Sequence, residues 1–222
     1  MKAIILISGG IDSTVMLALA IERQIECLAL SFDYGQRHSV ELNSAQAICE
    51  YYQIEQKIIT INPSAFGNSS LISNGCEVPS DRTTQQIANS GIPNTYVPAR
   101  NTLFLCYALV QAEIIDAREI HLGMNIHDRN SYPDCRPEFI SAFQNLVNVA
   151  TKQSIESKPP KILTPLQDWN KAKIISEGLR LNAPLELTHS CYNPTKNGLQ
   201  CGKCDACIFR SEGFSNAILT AI

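Results

Sequence analysis

Four cysteines near the C-terminus stand at spacings that are typical of metal sites. Cys191 is followed by nine residues and then by Cys201, Cys204 and Cys207, with two residues between each successive pair. Four thiolates presented in this way suit a closed tetrahedral zinc site, which stabilises structure and performs no chemistry. The pattern therefore predicts one structural Zn²⁺ per chain, held by Cys191, Cys201, Cys204 and Cys207.

Sequence alone leaves two alternatives to this zinc site open. Cysteines three positions apart also ligate iron–sulfur clusters, so a cluster is the main alternative. His189 lies two positions before Cys191 and could replace one sulfur, although a role as a neighbour explains it better. Disulfide bonds are not expected, because nine cysteines in 222 residues are too sparse for a disulfide scaffold.

A glycine turn, Ser8-Gly9-Gly10-Ile11-Asp12-Ser13, follows an apolar run at the N-terminus. A turn that leads from a buried strand into a helix binds anions, because free backbone N–H groups point outward and the helix dipole is positive there. The segment lacks the lysine of a Walker A loop and the third glycine of the dinucleotide fingerprint. It predicts a phosphate site of another kind; a plain strand-to-helix turn capped by Asp12 is the alternative.

A third polar segment, Tyr132-Pro133-Asp134-Cys135-Arg136, follows the fourth predicted strand. Open α/β sheets bind ligands at the carboxyl ends of their strands. The Asp134 carboxylate can accept two N–H bonds from a guanine-like edge, and Arg136 can hold a carboxylate through two parallel bonds. The segment therefore predicts a substrate site, in which Cys135 is expected to pack rather than to act as a nucleophile.

Two further charged residues lie where a predicted element begins or ends. Asp33 ends the second predicted strand, where a carboxylate can bond a ribose hydroxyl; a solvated strand end is an equal alternative. Arg100 begins a predicted helix and could supply a second anion contact, or it could pair with a surface carboxylate instead.

Alternating strands and helices must position these groups. Buried strands are predicted from apolar runs at residues 3–7, 27–32, 57–61 and 119–124. Helices are predicted over residues 12–23, 40–52, 101–116, 137–149 and 169–181, with a last one from near Asp205. This order favours a parallel sheet with right-handed crossovers. Residues 63–99 lack a sustained period and are predicted to form a long functional loop.

Composition and charge narrow the class of protein. Hydrophobic residues make up 45% and charged residues 18%, which excludes a largely disordered chain. The formal charge of −3 argues against a general polyanion binder, so direct binding of nucleic acid is not expected. No apolar stretch is long enough for a membrane span or a signal peptide, so we expect no membrane contact and a cytoplasmic location.

The motifs SGGIDSTV, SFDYGQRH, PARNTLFL, YPDCRPEF, THSCY and CGKCDAC occur in the order seen in the 7-cyano-7-deazaguanine synthase family, which the chain resembles from Ala3 to about Phe214. The SGGIDS segment is similar to the pyrophosphate loop of the ATP pyrophosphatase enzymes, which cleave ATP between its α and β phosphates. The resemblance implies an α/β fold with a Rossmann-like parallel sheet, of the adenine nucleotide alpha hydrolase-like, ATP pyrophosphatase type. We expect residues 1–185 to form the nucleotide-binding domain and residues 186–222 a zinc-binding segment.

The resemblance also implies an activity. It predicts an ATP-dependent carbon–nitrogen ligase of queuosine biosynthesis that converts 7-carboxy-7-deazaguanine and ammonia into 7-cyano-7-deazaguanine through adenylate and amide intermediates. Mg²⁺ is expected to accompany ATP, with Asp12 as the first candidate ligand. A homodimer is expected from the resemblance alone.

Individual site residues are carried over by matching motifs. Asp12 and Ser13 are implied to be catalytic. ATP binding is implied for Ser8, Gly9, Gly10, Ile11, Asp12, Ser13, Thr14, Val15, Met16, Leu17, Ala18 and Asp33. Substrate binding is implied for Arg100, Asp128, Tyr132, Asp134 and Arg136. The chain has Ser131 where the family has glycine, which would cost about 1 kcal/mol or more if that position needs a left-handed backbone.

Two other functions compete with this interpretation. A transfer-RNA thiolation enzyme also combines a pyrophosphate loop with clustered cysteines, although the charge of −3 argues against it. A zinc-dependent nucleic-acid-binding regulator is the second alternative. Strong binding to RNA or DNA with a steep salt dependence would favour either of them.

Overall fold

A computed structural model of the chain describes residues 1–36, 40–66, 69–72 and 76–219, except for the side chains of Ala65 and Ile218. Arg37 and His38 of the SFDYGQRH motif lie outside the described residues, as do residues 67–68 and 73–75 of the predicted long loop. In the part of the chain that is described, no helix is both long and apolar enough to cross a membrane.

Five parallel strands form one sheet in the order β3-β2-β1-β4-β5, which confirms the predicted α/β class. The strands are β1 Lys2–Leu6, β2 Glu26–Asp33, β3 Gln56–Thr60, β4 Glu119–His121 and β5 Lys161–Leu163. The sequence did not indicate β5, because only Ile162 of its three residues is buried and so short a segment shows no pattern.

Nine α-helices are found in the described residues. They are α1 Ile11–Glu22, α2 Val40–Tyr52, α3 Thr84–Ala88, α4 Arg100–Ile115, α5 Ile126–Ser131, α6 Pro137–Ala150, α7 Lys152–Glu156, α8 Lys171–Arg180 and α9 Asp205–Leu219. The predicted helices match α1, α2, α4, α6, α8 and α9 to within a few residues, as is usual for helix ends. The short helices α3, α5 and α7 were not predicted, since five or six residues hold too little of the helical period.

The start of α1 differs from the prediction. Gly10 rather than Asp12 is the N-cap residue, and no side chain caps this end of the helix. Asp12 instead lies in the first turn, where its carboxylate is bound by a lysine from another helix. The start of α1 therefore carries no side-chain cap, and uncapped helix starts of this kind can bind anions.

The sheet separates two apolar layers, and β1 serves both. Ile5 belongs to the layer formed with α1, α2 and α8, whereas Ile4 belongs to the layer formed with α4 and α6. Both side chains are fully buried, which explains why β1 reads as a continuous apolar run rather than an alternating one. β1 is therefore the buried centre of the sheet, and the glycine turn follows it directly in the chain.

The strand order reverses beside β1. Strands β2 and β3 extend the sheet on one side of β1, and β4 and β5 extend it on the other. A crevice opens outside the carboxyl ends of the strands at such a switch point. The turn after β1 and the connection after β4 meet there: a Cβ added to Gly123 would lie 3.0 Å from the backbone nitrogen of Ser13.

The C-terminal segment packs on the rest of the fold. Helix α9 contacts α8, and Ala217 is buried within the same apolar layer as α1. The boundary predicted at residue 185 stays a prediction.

Candidate active site

The turn after β1 is shaped by its two glycines. Gly9 has a φ of +87°, and a Cβ at this position would lie only 2.3 Å from the carbonyl oxygen of Glu41 in α2. Only glycine fits both the left-handed backbone and this close approach. Gly10 has an extended conformation, and its N–H donates to the Ser8 hydroxyl at 3.3 Å.

Two serine hydroxyls of this turn face one another. The Ser8 and Ser13 oxygens are 3.2 Å apart, and Ser13 also donates to the carbonyl of Gly10 at 3.1 Å. Both residues line a cavity of about 300 Å³ at the carboxyl edge of the sheet. The turn thus offers hydroxyl and backbone N–H donors to an anion in this cavity.

Lys171, at the start of α8, supplies a positive charge that sequence analysis missed. Its ammonium group lies 2.7 Å from both carboxylate oxygens of Asp12. Asn125 also donates to Asp12 at 2.8 Å. No local sequence signal marks this lysine, because it is 159 positions from its partner and only tertiary packing joins them. Lys171 lines the same cavity and places a cation beside the turn.

Arg100 is a second cation in the cavity. Its guanidinium donates to the Tyr34 hydroxyl at 3.2 Å and lies 5.9 Å from the centre of the Phe104 ring. Within the described residues no carboxylate pairs with it at ion-pair distance, so the surface-pair alternative finds no support. Its five N–H donors therefore suit an anionic group of a ligand.

Besides Asp12 and Asp205, the carboxyl groups of Asp128 and Glu41 line the cavity. Burial and the neighbouring Asp12 carboxylate raise the pKa of Asp128 to about 6, while the Lys171 ammonium partly opposes the rise. Burial likewise raises the pKa of Glu41 to about 7, with Arg100 opposing it. Asp128 accepts a hydrogen bond from the Asn125 backbone at 3.1 Å, which fixes it at the start of α5.

The structure does not bring the other predicted substrate residues into the cavity. Asp134 is buried, but its carboxylate accepts the backbone N–H of Asn101 at 3.0 Å and so holds the first turn of α4. Arg136 is exposed as the N-cap residue of α6. Neither residue lines the cavity, whereas Arg100, Asp128 and Tyr132 do.

Of the residues that the resemblance implies for ATP binding, some line the cavity and others do not. Ser8, Gly10, Ile11, Asp12 and Ser13 line the cavity. The Thr14 hydroxyl donates to the carbonyl oxygen of Gly10 at 2.8 Å and so stabilises the turn. Gly9 lies against α2, and the Asp33 carboxylate accepts the N–H of Gly35 at 3.3 Å. The side chains of Val15, Met16, Leu17 and Ala18 are buried in the apolar layer beneath α1.

Cys135 lies at the wall of the cavity with its thiol buried. Asn101 donates to its sulfur at 3.3 Å. Burial raises the pKa of this thiol well above its ordinary value, which disfavours the thiolate that a nucleophile requires. This geometry agrees with the expected packing role.

Several cavity residues were not singled out from sequence. Tyr34, Tyr192 and Phe209 contribute aromatic surface, and Phe209 stacks on His127 with ring centres 4.3 Å apart. The Tyr132 hydroxyl lies 2.9 Å from that of Thr95. These rings come from distant parts of the chain, so no local pattern could have grouped them. Ser131 lies in helix α5, so the residue that replaces the family glycine needs no left-handed backbone.

The four C-terminal cysteines form a compact group beside the cavity. Their sulfur atoms all lie within 4.8 Å of one another, and among the described residues they are the cluster that can hold a metal ion. The backbone N–H groups of Cys201 and Tyr192 donate to sulfurs at 3.2 and 3.4 Å, as suits thiolates. His189 is not in this group: its N–H donates to the carbonyl of Gly9, and the residue lines the cavity. The donor set fits a single metal ion.

Comparison with known proteins places this arrangement in a family. The family model of the queuosine biosynthesis protein QueC matches residues 2–218. The 7-cyano-7-deazaguanine synthases of Saccharophagus degradans and Stutzerimonas stutzeri are 47% and 44% identical over 217 residues, which is 97% of this chain and 94% of each relative.

A solved structure shows the same fold at lower identity. The U34-tRNA thiolase NcsA from Methanococcus maripaludis, which carries a 4Fe-4S cluster, has a TM-score of 0.50 and 19% identity, over 97% of this chain and 64% of that protein. At that identity the likeness concerns the fold alone. The extent of the family match and the identity to the curated relatives lead to one conclusion: the chain belongs to the family of the queuosine biosynthesis protein QueC.

Proposed function

We propose that the protein is an ATP-dependent ligase that converts 7-carboxy-7-deazaguanine and ammonia into 7-cyano-7-deazaguanine. The observation that carries this proposal is the cavity in which the Ser8–Ser13 turn, Lys171 and Arg100 meet. The cavity offers donors for a pyrophosphate and a separate cation for a carboxylate. The closely similar relatives are 7-cyano-7-deazaguanine synthases, which supports the same product for this protein.

The chemistry requires two activations, because neither hydroxide nor oxide leaves carbon unaided at neutral pH. In the first round a carboxylate oxygen attacks the α phosphorus of ATP and pyrophosphate departs. Ammonia then attacks the carbonyl carbon, AMP departs, and an amide forms. In the second round the amide oxygen attacks the α phosphorus of a second ATP, and pyrophosphate departs again. Loss of AMP and of the two N–H protons then gives the C–N triple bond.

The residues of the turn are assigned to the departing pyrophosphate. Donors held in place where negative charge develops lower the barrier, because they need no reorganisation during the reaction. Ser8, Ser13 and the backbone N–H groups at the start of α1 supply such donors, and Lys171 adds a charge. Asp12 offers the carboxylate oxygens that Mg²⁺ prefers, and the ion would neutralise phosphate charge.

The substrate is assigned to the part of the cavity that Arg100, Asp128 and Tyr132 line. The Arg100 guanidinium suits the carboxylate of the substrate, and the Asp128 carboxylate can accept two N–H bonds from the guanine-like edge. Tyr132 supplies an aromatic surface beside them. Asp134 acts through α4, whose first turn carries Arg100, and Arg136 has no assigned contact.

The metal is proposed to be one structural Zn²⁺ per chain. Four thiolates around one ion, each about 2.3 Å from it, place the sulfurs as close together as they are here. A four-iron cube would separate them further. A cytoplasmic homodimer completes the proposal and is tested by a solution mass of twice the 24.5 kDa chain.

The deciding experiment incubates the purified protein with ATP, ammonia and 7-carboxy-7-deazaguanine and identifies the products by mass. The nitrile, AMP and pyrophosphate are expected, and the synthetic amide should also be converted when fresh ATP is added. Formation of ADP and phosphate would refute the adenylate route. Failure to convert the amide would refute the two-round order.

A further inference from the structure

One wall of the cavity comes from residues 63–99, which are predicted from sequence to form a long functional loop. Ile87, Ser90, Pro93 and Thr95 line the cavity from this side. Residues 78–95, here called the wall segment, include the short helix α3 and two of these lining residues that are buried, Ile87 and Thr95.

The first part of the wall segment is attached to the cysteine group. Val78 is buried against Cys191, Cys204 and Cys207. Ser80 pairs with Cys204 in an isolated antiparallel bridge, and the N–H of Asp81 donates to the carbonyl of Lys203 at 2.9 Å. The wall segment therefore takes its position from the backbone that also presents the metal ligands.

An ion pair adds a side-chain clamp to these backbone bonds. Arg82 binds the Asp205 carboxylate through two nitrogens, with Nε 3.1 Å from Oδ1 and Nη2 bonded to Oδ2. The Asp205 side chain is only 8% exposed and that of Arg82 22%. A two-pronged pair of this kind fixes orientation as well as distance. Loss of the arginine would leave a buried carboxylate without its partner.

The clamp is connected to the proposed substrate side of the cavity. Asp205 lies between Cys204 and Cys207, begins α9 and itself lines the cavity. Thr83, next to Arg82, caps α3 with a reciprocal bond to Gln86, and α3 contacts both α5 and α9. Further along the same segment, Thr95 bonds the hydroxyl of Tyr132.

We infer that Arg82 is a positioning residue that locks the wall segment onto the metal-bound C-terminal turn and thereby sets the affinity for the deazapurine substrate. The identity of that substrate rests on the proposed function. The metal group then has a second role beyond stability, because it fixes the backbone on which the wall segment is built. Arg82 touches no reacting atom; it acts through Asp205 and α3.

The test compares Arg82→Ala with the parent protein in the metal-loaded state. Backbone amides of residues 78–95 should exchange with deuterium at least about tenfold faster in the variant, while the exchange of α1 is unchanged. The KM for 7-carboxy-7-deazaguanine should rise about tenfold or more, and the KM for ATP should stay within about twofold. Metal content should remain at the parent level, which separates loss of the clamp from loss of the ion.

Two further variants make the result specific. Arg82→Lys keeps the charge but loses the two-pronged geometry, so it should recover part of both effects. Arg118→Ala removes a surface arginine that pairs with Asp116 away from the cavity, and it should change neither measurement. Should Arg82→Ala fail to fold, Arg82→Lys must itself show faster exchange in residues 78–95.

Each outcome decides the inference. Unchanged exchange in the wall segment would overturn the clamp, and equal rises in both KM values would overturn the link to the deazapurine. A parent protein that makes no nitrile would refute the proposed function instead. In that case faster exchange of the wall segment in the variant would still support the clamp.

Discussion

The Lys171 ammonium provides the positive charge that the Ser8–Ser13 turn itself lacks. A Walker loop carries its lysine within the turn. Here the lysine comes from α8 and is held by Asp12 at 2.7 Å. Asp12 thus orients a cation toward the cavity as well as being the candidate ligand for Mg²⁺.

Lys171→Met should weaken the use of ATP. Loss of a charged hydrogen-bond donor to a phosphate is worth about 1.5–3 kcal/mol, so the KM for ATP should rise by about ten- to a hundredfold. Lys173→Met is the matched control, because Lys173 lies over the Trp169 ring at 4.4 Å and does not line the cavity. Equal effects of both changes would contradict the role given to Lys171.

Ser13→Ala should slow both adenylation rounds. Removal of one well-placed donor to developing charge raises the barrier by about 3–4 kcal/mol, or roughly a hundredfold or more in rate. AMP formation is measured separately from the acid and from the synthetic amide. Ser64→Ala alters an exposed serine and serves as the control. Near-parental rates for Ser13→Ala would mean that the turn serves only structure.

Substrate binding should weaken at acidic pH because of Asp128. Its pKa is raised to about 6, so the carboxylate is ionised above that pH and loses its acceptor capacity as pH falls through it. The KM for the deazapurine should then rise about tenfold per pH unit below 6. Asp128→Asn should abolish this pH dependence of KM. Glu41→Gln removes another carboxyl group of the cavity, with a pKa of about 7, and should leave the pH dependence unchanged. If the rise in KM at low pH persists in Asp128→Asn, a group other than Asp128 is responsible for it.

The glycine turn packs closely against helix α2 at Gly9. Gly9→Ala would force a Cβ to 2.3 Å from the Glu41 carbonyl while keeping a φ of +87°. Gly91→Ala meets nothing within 4 Å at a φ of +68°, so it isolates the backbone strain of about 1 kcal/mol. Chemical denaturation should show a clearly larger loss of stability for Gly9→Ala. Equal losses would show that α2 can move away at no cost.

The cysteine group joins the last helix to the wall of the cavity, so its metal should stabilise the molecule as one unit. Structural zinc is worth about 10 kcal/mol or more in small domains, and we expect Cys204→Ser to lower the free energy of unfolding by at least about 3 kcal/mol. Metal analysis should find about one zinc per chain and no visible absorption. Cys106→Ser, on the exposed side of α4, is the control. A brown protein containing iron would contradict the zinc assignment.

Sequence patterns were sufficient to predict the order of the major elements, the parallel sheet and the position of the glycine turn. These follow from local patterns: the apolar run of β1, the glycines at 9 and 10, and the helical spacing of α4. The grouping of the four C-terminal cysteines was also predictable, since three of them lie within residues 201–207. Membership of the family followed from the motifs taken together.

The polar residues that share the cavity are brought together only by the packing of elements that are distant in sequence. Lys171 meets Asp12 across 159 positions and Arg82 meets Asp205 across 123, distances at which sequence shows no pairing. Asp134 and Arg136 have suitable side chains, yet Asp134 is turned toward α4 and Arg136 toward solvent. The side chains that flank a sequence motif can point to either side of the chain, and only the packing of helices around the sheet fixes which side faces the ligand.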